Sequence, residues 1–322
     1  MLSSCDWVEL ILDAPSTDAA WSRIFDQLGS YAQSCASPVE LNNYTVAPDR
    51  LLAESAWNLW FAYSKAAPKA SMILRDWWAQ SSSYGKAVLI MDALSLRELP
   101  SLIGGAETHG IKPTNLRVVG AEVPPDTDHF AKSLGVPSRS NLANNEASSK
   151  FIFANDKTQT DILDIPFEDC IENVPSESNV FLWHTWLDKL IHQNGLPDQV
   201  YKIASKELQS EGFWSLVNRI RKGRRLAITS DHGYAVARQF STEEGDHDVV
   251  QALRETFGAS RSKPASEPWK HTFMPPLVLT ENGYHIVMGQ RKWKVQSGFP
   301  YLSHGGLSLL EVAVPFVELP PL

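Results

Sequence analysis

The feature that most constrains this chain is a short apolar run that stops at a carboxylate and then recurs. From Lys86, KAVLIMD carries unbroken apolar residues and ends at Asp92. A run of this kind, too short for a helix and without alternation, suits a strand buried on both faces. Comparable runs are LRVVGAE (116–122), SNVFLWHT (178–185) and RLAITSD (225–231). Segments with helical spacing lie between them, at roughly 94–103, 127–134, 186–193 and 198–221. Strand, helix and strand in repetition predict an α/β fold, a mostly parallel, doubly wound sheet with helices on both faces.

The two ends of the chain read differently. Residues 1–80 are rich in tryptophan and carry apolar residues at three- and four-residue spacing, which predicts an N-terminal helical region. Trp57, Trp60 and Phe61 share one face of it, as expected for helix packing rather than a ligand site. SSSYGK (81–86) reads as a linker, so the expected organisation is a helical region over 1–80 and an α/β domain over 81–322. Near the other end, 255–270 is polar and predicts a surface loop, and PLVLTENGYHIVMGQRKWKV predicts a hairpin turning at Glu281-Asn282-Gly283 and again near Gly289. EVAVPFVEL (311–319) is a last strand, which Pro315 assigns to an edge or a bulge.

Composition bounds the function. The net charge is −8, which argues against a protein that grips duplex DNA through a broad basic surface. Hydrophobic residues at 43% and charged residues at 20% exclude a largely disordered chain. Three cysteines, Cys5, Cys35 and Cys170, form no CxxC pair, so neither a cysteine zinc site nor a disulfide framework is expected. The opening MLSSCDWVELILDAP lacks the basic start of a signal peptide, and no apolar run reaches the length of a membrane span. The expectation is a cytoplasmic protein with no membrane partner.

Open α/β sheets place their sites beyond the carboxyl ends of their strands. Asp92 follows one apolar run, and Asp231 and His232 follow another. Asp188 and His192 stand four apart, on one face of the 186–193 helix, and His304 opens SHGGLSLLE. Thr127 lies in VPPDTDHFAKSLG, directly before a helical segment. Each alone is common, and an Asp and a His four apart are most often a surface pair. Together they are three carboxylates, three imidazoles and a hydroxyl, a donor set suited to Zn²⁺ or alternatively Mn²⁺. Aspartates crowded at strand ends also repel unless a cation lies among them.

The order of these pieces resembles the PglZ domain, a branch of the alkaline phosphatase superfamily associated with BREX-type phage defence. The resemblance rests on DAL (92–94), VPPDT, LDKLIH, SDHGY (230–234) and SHGGLSLLEVAVPF, and spans about 86 to 319. It implies an alkaline phosphatase-like sheet holding two Zn²⁺, with Mn²⁺ as the alternative. One metal would be held by Asp92, Asp231, His232 and the Thr127 oxygen, the other by Asp188, His192 and His304. It further implies Thr127 as nucleophile. The substrate would be a phosphodiester, nucleotide or oligonucleotide, and other phage-defence proteins would be partners.

Several residues compete for roles. Ser95 is the alternative nucleophile. Arg97 is either the arginine that PglZ members often place early in the helix after DAL or an exposed helix residue. His184 reads as a packed histidine, and His129 as a surface residue or a substrate contact. The basic run Arg219–Arg225 reads as a solvated helix end or a phosphate-contacting surface. His109, His247, His271 and His285 have no evident partner. Three functions follow: a metal-dependent phosphodiesterase or nuclease, a phosphomonoesterase or phosphomutase on the same metal pair, and an inactive module that binds defence-complex partners.

Overall fold

The computed structural model describes residues 5–154, 157–194, 196–236, 247–295 and 301–322. Met1–Ser4, which open the stretch read for a signal peptide, lie outside the described residues. The first five strands are β1 (Gly85–Met91), β2 (Asn115–Gly120), β3 (Thr158–Leu163), β4 (Asn179–His184) and β5 (Arg224–Thr229). Short strands β6 (Ala235–Val236), β7 (Ser262–Pro264), β8 (Val278–Glu281), β9 (Tyr284–Val287) and β10 (Leu302–Ser303) follow, and β11 (Ala313–Leu319) closes the chain. The main sheet has the order β2-β11-β5-β1-β4-β3. Its pairings β1–β4, β1–β5 and β3–β4 are parallel, whereas β11 runs antiparallel to both β5 and β2. The expected α/β architecture is therefore present as a mixed sheet with one reversed strand.

Alternation along the central strands explains why this sheet is covered on both sides. Ala87, Leu89 and Met91 of β1 enter one core with Val180 and Leu182 of β4, while Val88 and Ile90 enter a second with Phe181 and Trp183. The first core packs against α2 (Thr17–Ser34), α6 (Leu99–Thr108), α9 (Pro197–Leu208) and α10 (Glu211–Arg221); the second packs against α5 (Ala70–Ala79) and α7 (Thr127–Ser133). The other α-helices are α1 (Trp7–Leu12), α3 (Pro38–Glu54), α4 (Asn58–Ala66), α8 (Trp186–Asn194), α11 (His247–Phe257) and the single turn α12 (Leu309–Val312), and Arg139–Asn145 and Ile171–Asn173 are 3₁₀ helices.

The first three helices begin where side-chain caps dictate. Asp6, Ser16 and Ser37 each accept a backbone N–H of the first turn that follows. Trp21, Trp60 and Tyr63 then meet at ring separations of 4.8–5.5 Å within the same core that lines the sheet. The shared aromatic face does not extend to Phe61, which is 43% exposed. Trp57 precedes α4 as its cap residue, with helical φ and ψ and no side-chain cap bond.

Other expectations are corrected. Pro315 lies in an interior strand, not at an edge: it pairs with Val118 of β2, and its carbonyl accepts the Thr229 hydroxyl at 2.7 Å. The β11–β5 register covers only Val317–Leu319, so the missing N–H of Pro315 falls where that ladder has ended. The 198–221 helix is two helices, because Ser210 caps α10 by accepting the Phe213 amide. Part of the 255–270 loop forms β7 on the edge of β9. The segment read as a linker runs into β1, where Lys86 is buried and donates to the carbonyls that end α5, Trp77 at 3.3 Å among them. The hairpin at Asn282-Gly283 forms as expected, both residues having φ near +50° to +76°. Strand β3 was not foreseen, since TQTDIL is polar and lies at the sheet edge.

Candidate metal centre

Asp92 follows β1 directly, and its amide donates to the His184 carbonyl at 2.9 Å, where the β1–β4 ladder ends. Ala93 then takes a φ of 62°, a conformation that costs a residue with a Cβ roughly 1–2 kcal/mol. Its amide donates to Asp231 Oδ1 at 3.1 Å, which ties the first strand end to the next. The Ser230 hydroxyl lies between the Met91 and His232 carbonyls, at 2.8 and 2.7 Å. Gly233 must be glycine, since a Cβ there would meet the Leu310 carbonyl oxygen at 2.2 Å.

His232 shows how this cluster is charged. Its Nδ1 lies 2.9 Å from the Gly233 carbonyl, which can only accept, so Nδ1 carries a hydrogen and Nε2 is the nitrogen turned toward the carboxylates. That Nε2 is fully buried and has no hydrogen-bond partner. It faces Asp231 Oδ2 at 3.5 Å and Asp92 Oδ1 at 3.8 Å. Two carboxylates that converge on one imidazole nitrogen repel each other, and a divalent cation among the three groups offsets that repulsion. Asp92, Asp231 and His232 offer ligand atoms all within 4.8 Å of one another. The buried, orphaned Nε2 and the oxygen–nitrogen donor set fit Zn²⁺ or Mn²⁺.

A second group, Asp188, His232 and His304, meets the same 4.8 Å criterion and shares His232. The His304 ring stacks on His232 with centroids 4.4 Å apart. Burial, followed by the neighbouring His232, holds its pKa down at about 4, so it is neutral and able to act as a ligand at ordinary pH. His192 lies alongside, 3.3 Å from Asp188 Oδ1 and 3.4 Å from His304 Nε2. The Asp188 hydrogen bond raises the His192 pKa. Burial opposes ionisation of Asp188, but the His192 hydrogen bond holds its pKa below the usual value.

Thr127 opens α7, whose cap Asp126 accepts the His129 amide at 2.8 Å. Its Oγ1 donates to Asp231 Oδ2 at 2.7 Å and lies 3.4 Å from Asp92 Oδ1. The structure thus brings together all seven residues singled out from the sequence: Asp92, Thr127, Asp188, His192, Asp231, His232 and His304. It adds two that were missed. The Arg139 guanidinium forms an ion pair with Asp92 Oδ2, and Trp183 Nε1 donates to the same oxygen at 3.2 Å. Asp92 therefore turns Oδ2 to these two and leaves Oδ1 for the His232 side. Trp183 is the next-to-last residue of a strand already recognised and could have been nominated; Arg139 opens a short 3₁₀ helix (Arg139–Asn145) outside every motif read from the sequence.

The competing assignments resolve by burial. Ser95 is wholly buried and bonded to Arg97, with no access for a substrate. Arg97 is not an exposed helix residue: it is 1% exposed, bonded to Asn42 and the Tyr234 carbonyl, and stacked on the Tyr234 ring. His184 is a packed histidine whose Nδ1 accepts the Trp186 amide, and burial lowers its pKa to about 4. His129 is not a surface residue, being held by Asp126 and packed edge-on to Tyr284. The basic run is solvated only in part: Lys222 is exposed, whereas two of its arginines are turned inward. Arg221 and Arg224 are buried and donate to backbone carbonyls of Pro320, Pro175, Glu177 and Ile220 at the start of β5, the end of the strand away from Asp231.

No protein-family profile and no curated protein sequence matches this chain. Among solved structures it is similar to murine ectonucleotide pyrophosphatase/phosphodiesterase 5 in complex with AMP, at 13% identity and a TM-score of 0.45, covering 74% of this chain and 88% of that one. It is also similar to phosphonoacetate hydrolase from Sinorhizobium meliloti 1021 in complex with phosphonoformate, at 13% identity and a TM-score of 0.39, covering 74% and 90%. Both are similarities of partial outline at low identity. No helix among the described residues is long and apolar enough to cross a membrane.

Proposed function

We propose that the chain is a metal-dependent phosphoryl-transfer hydrolase acting on phosphodiesters, with Thr127 as nucleophile. One observation supports this above the others: an accessible threonine hydroxyl donates to Asp231 in the same buried cluster where His232 Nε2 is left without a partner. Asp92, Asp231, His232 and Thr127 would hold one metal, and Asp188, His192 and His304 the other, with His232 facing both. Two divalent ions, when bound, supply charge for the attacking and departing oxygens and lower the pKa of a hydroxyl. Thr127 presents Oγ1 with its hydrogen already directed at Asp231 Oδ2, the first acceptor for that proton when the oxygen attacks phosphorus. Arg139 stands beside Asp92 with the rest of its fork free of protein acceptors among the described residues, in position to bond non-bridging phosphoryl oxygens. The P–O bond to the leaving alcohol breaks as the Thr127 bond forms, the departing alkoxide taking a proton from solvent, and a water then cleaves the threonine–phosphorus ester, releasing a phosphate monoester and restoring the hydroxyl.

The finer reading comes from the motif order alone. As a PglZ-type domain, the chain would act on nucleotides or oligonucleotides in a cytoplasmic, BREX-type phage defence system with protein partners. The test is hydrolysis of bis-p-nitrophenyl phosphate by protein supplied with Zn²⁺ or Mn²⁺. Thr127→Ser should retain turnover, and Thr127→Val should lose at least about a thousandfold while keeping its fold. Equal rates for both variants would remove Thr127 as nucleophile.

A second reading, a phosphomonoesterase, is favoured by Arg139. A monoester carries an additional unesterified oxygen, and an arginine fork is suited to it. A rate on p-nitrophenyl phosphate far above that on the bis ester would reverse the order of the two readings.

A further inference from the structure

We propose that Glu311, clamped by Arg261, is a positioning residue that sets the spacing between the loops carrying His232 and His304. The inference rests on the metal reading of these histidines, but its geometry is independent of any metal. Glu311 is wholly buried in the α12 turn, and Arg261 meets it with two bonds, Nε to Oε1 at 2.7 Å and Nη2 to Oε2 at 2.9 Å. The same carboxylate accepts the Gly306 amide at 2.9 Å and the Ser308 hydroxyl at 2.6 Å, so it holds the turn directly after His304. The backbone carbonyl of Glu311 accepts the Gly233 amide at 2.8 Å, so the same residue holds the turn directly after His232.

The surroundings leave this arrangement little freedom. Gly305 has a φ of +98°, and a Cβ on Gly306 would lie 2.6 Å from the Arg261 guanidinium. Arg261 is fixed in turn by the carbonyls of Gly289 and Arg291. Ser303 of β10 pairs with Ala235 of β6, which bridges the two loops a second time. The imidazoles that these loops carry stack 4.4 Å apart. A buried ion pair is rarely retained for stability alone, because apolar residues of like volume often replace it without loss. Here its hydrogen bonds run to the two turns that present candidate ligands, the place where outer partners orient metal-binding side chains.

The test compares wild type, Arg261→Met/Glu311→Leu and Ser308→Ala in three measurements: thermal melting, Zn²⁺ affinity by chelator competition, and imidazole ¹H–¹⁵N spectra of metal-stripped protein. The double variant leaves the Gly306 amide, the Ser308 hydroxyl and the Gly289 and Arg291 carbonyls without these partners, so it should melt below wild type, and in its folded state it should lose about 10–100-fold in affinity for one Zn²⁺. The ring-current shifts of His232 and His304 should collapse in the same variant. Ser308→Ala, the milder change, should move both readouts part of the way and serves if the double variant fails to fold. A folded variant with unchanged imidazole spectra overturns the proposal. If wild type binds no Zn²⁺ while the imidazole shifts still collapse in the variant, the positioning role stands and the metal reading falls.

Discussion

At the level of single residues, the legible part of the site is the part fixed by backbone direction. A parallel strand delivers its last residue to the same sheet edge as its neighbours, so Asp92, Asp231 and His232 could be nominated from apolar runs alone. Arg139 could not, because only the folded chain brings it to Asp92. Arg97 shows the converse error, since its position in a polar-looking SLRE segment conceals a residue that is 1% exposed and links Asn42 to Tyr234. The two arginines make opposite predictions. Arg139→Met should lower kcat/KM on phosphate esters by roughly a hundredfold with little change in melting temperature, and Arg139→Lys should recover only part of it. Arg97→Met should be read in the melting temperature, because the loss leaves the Asn42 and Tyr234 partners inside the core.

At the level of elements, periodicity located the central strands well and failed where packing did not require it. β1, β4 and β5 are buried on both faces, so their apolar runs are obligatory; β3 is an edge strand and can be written as TQTDIL. Helix breaks depended on caps more than on periodicity. The 198–221 stretch keeps an apolar stripe throughout, yet Ser210 starts a new helix at its own cap. Ser210→Ala should destabilise the protein by about 1 kcal/mol in urea unfolding, with no change in metal affinity. The SHGG turn is likewise a matter of local chemistry: Gly305 supplies the positive φ, and Gly306 leaves space for Arg261.

At the scale of the whole molecule, the helices of residues 1–80 share a core with the sheet, and they also reach the site's supporting turns. Asp49 of α3 accepts the Leu309 amide at 2.7 Å at the start of α12, and Gln290 donates to its other oxygen. Burial raises the Asp49 pKa from 3.8 to about 7. The folded state therefore holds this proton more tightly than the unfolded chain. Its contribution to stability is fully present below about pH 4 and is lost as pH rises through about 7. Unfolding free energies of wild type and Asp49→Asn should diverge across that window, the wild type losing more as pH rises, and parallel curves would show that Asp49 ionises normally. The central claim is that strand-end carboxylates and imidazoles form a paired metal site. The most direct measurement is metal content by plasma mass spectrometry after gentle purification and Zn²⁺ loading. The account predicts about two Zn²⁺ per wild-type chain and about one in either Asp92→Asn or His232→Ala, because each substitution removes a ligand of the first site and leaves Asp188, His192 and His304 in place. A wild-type chain that remains near zero after loading would contradict it.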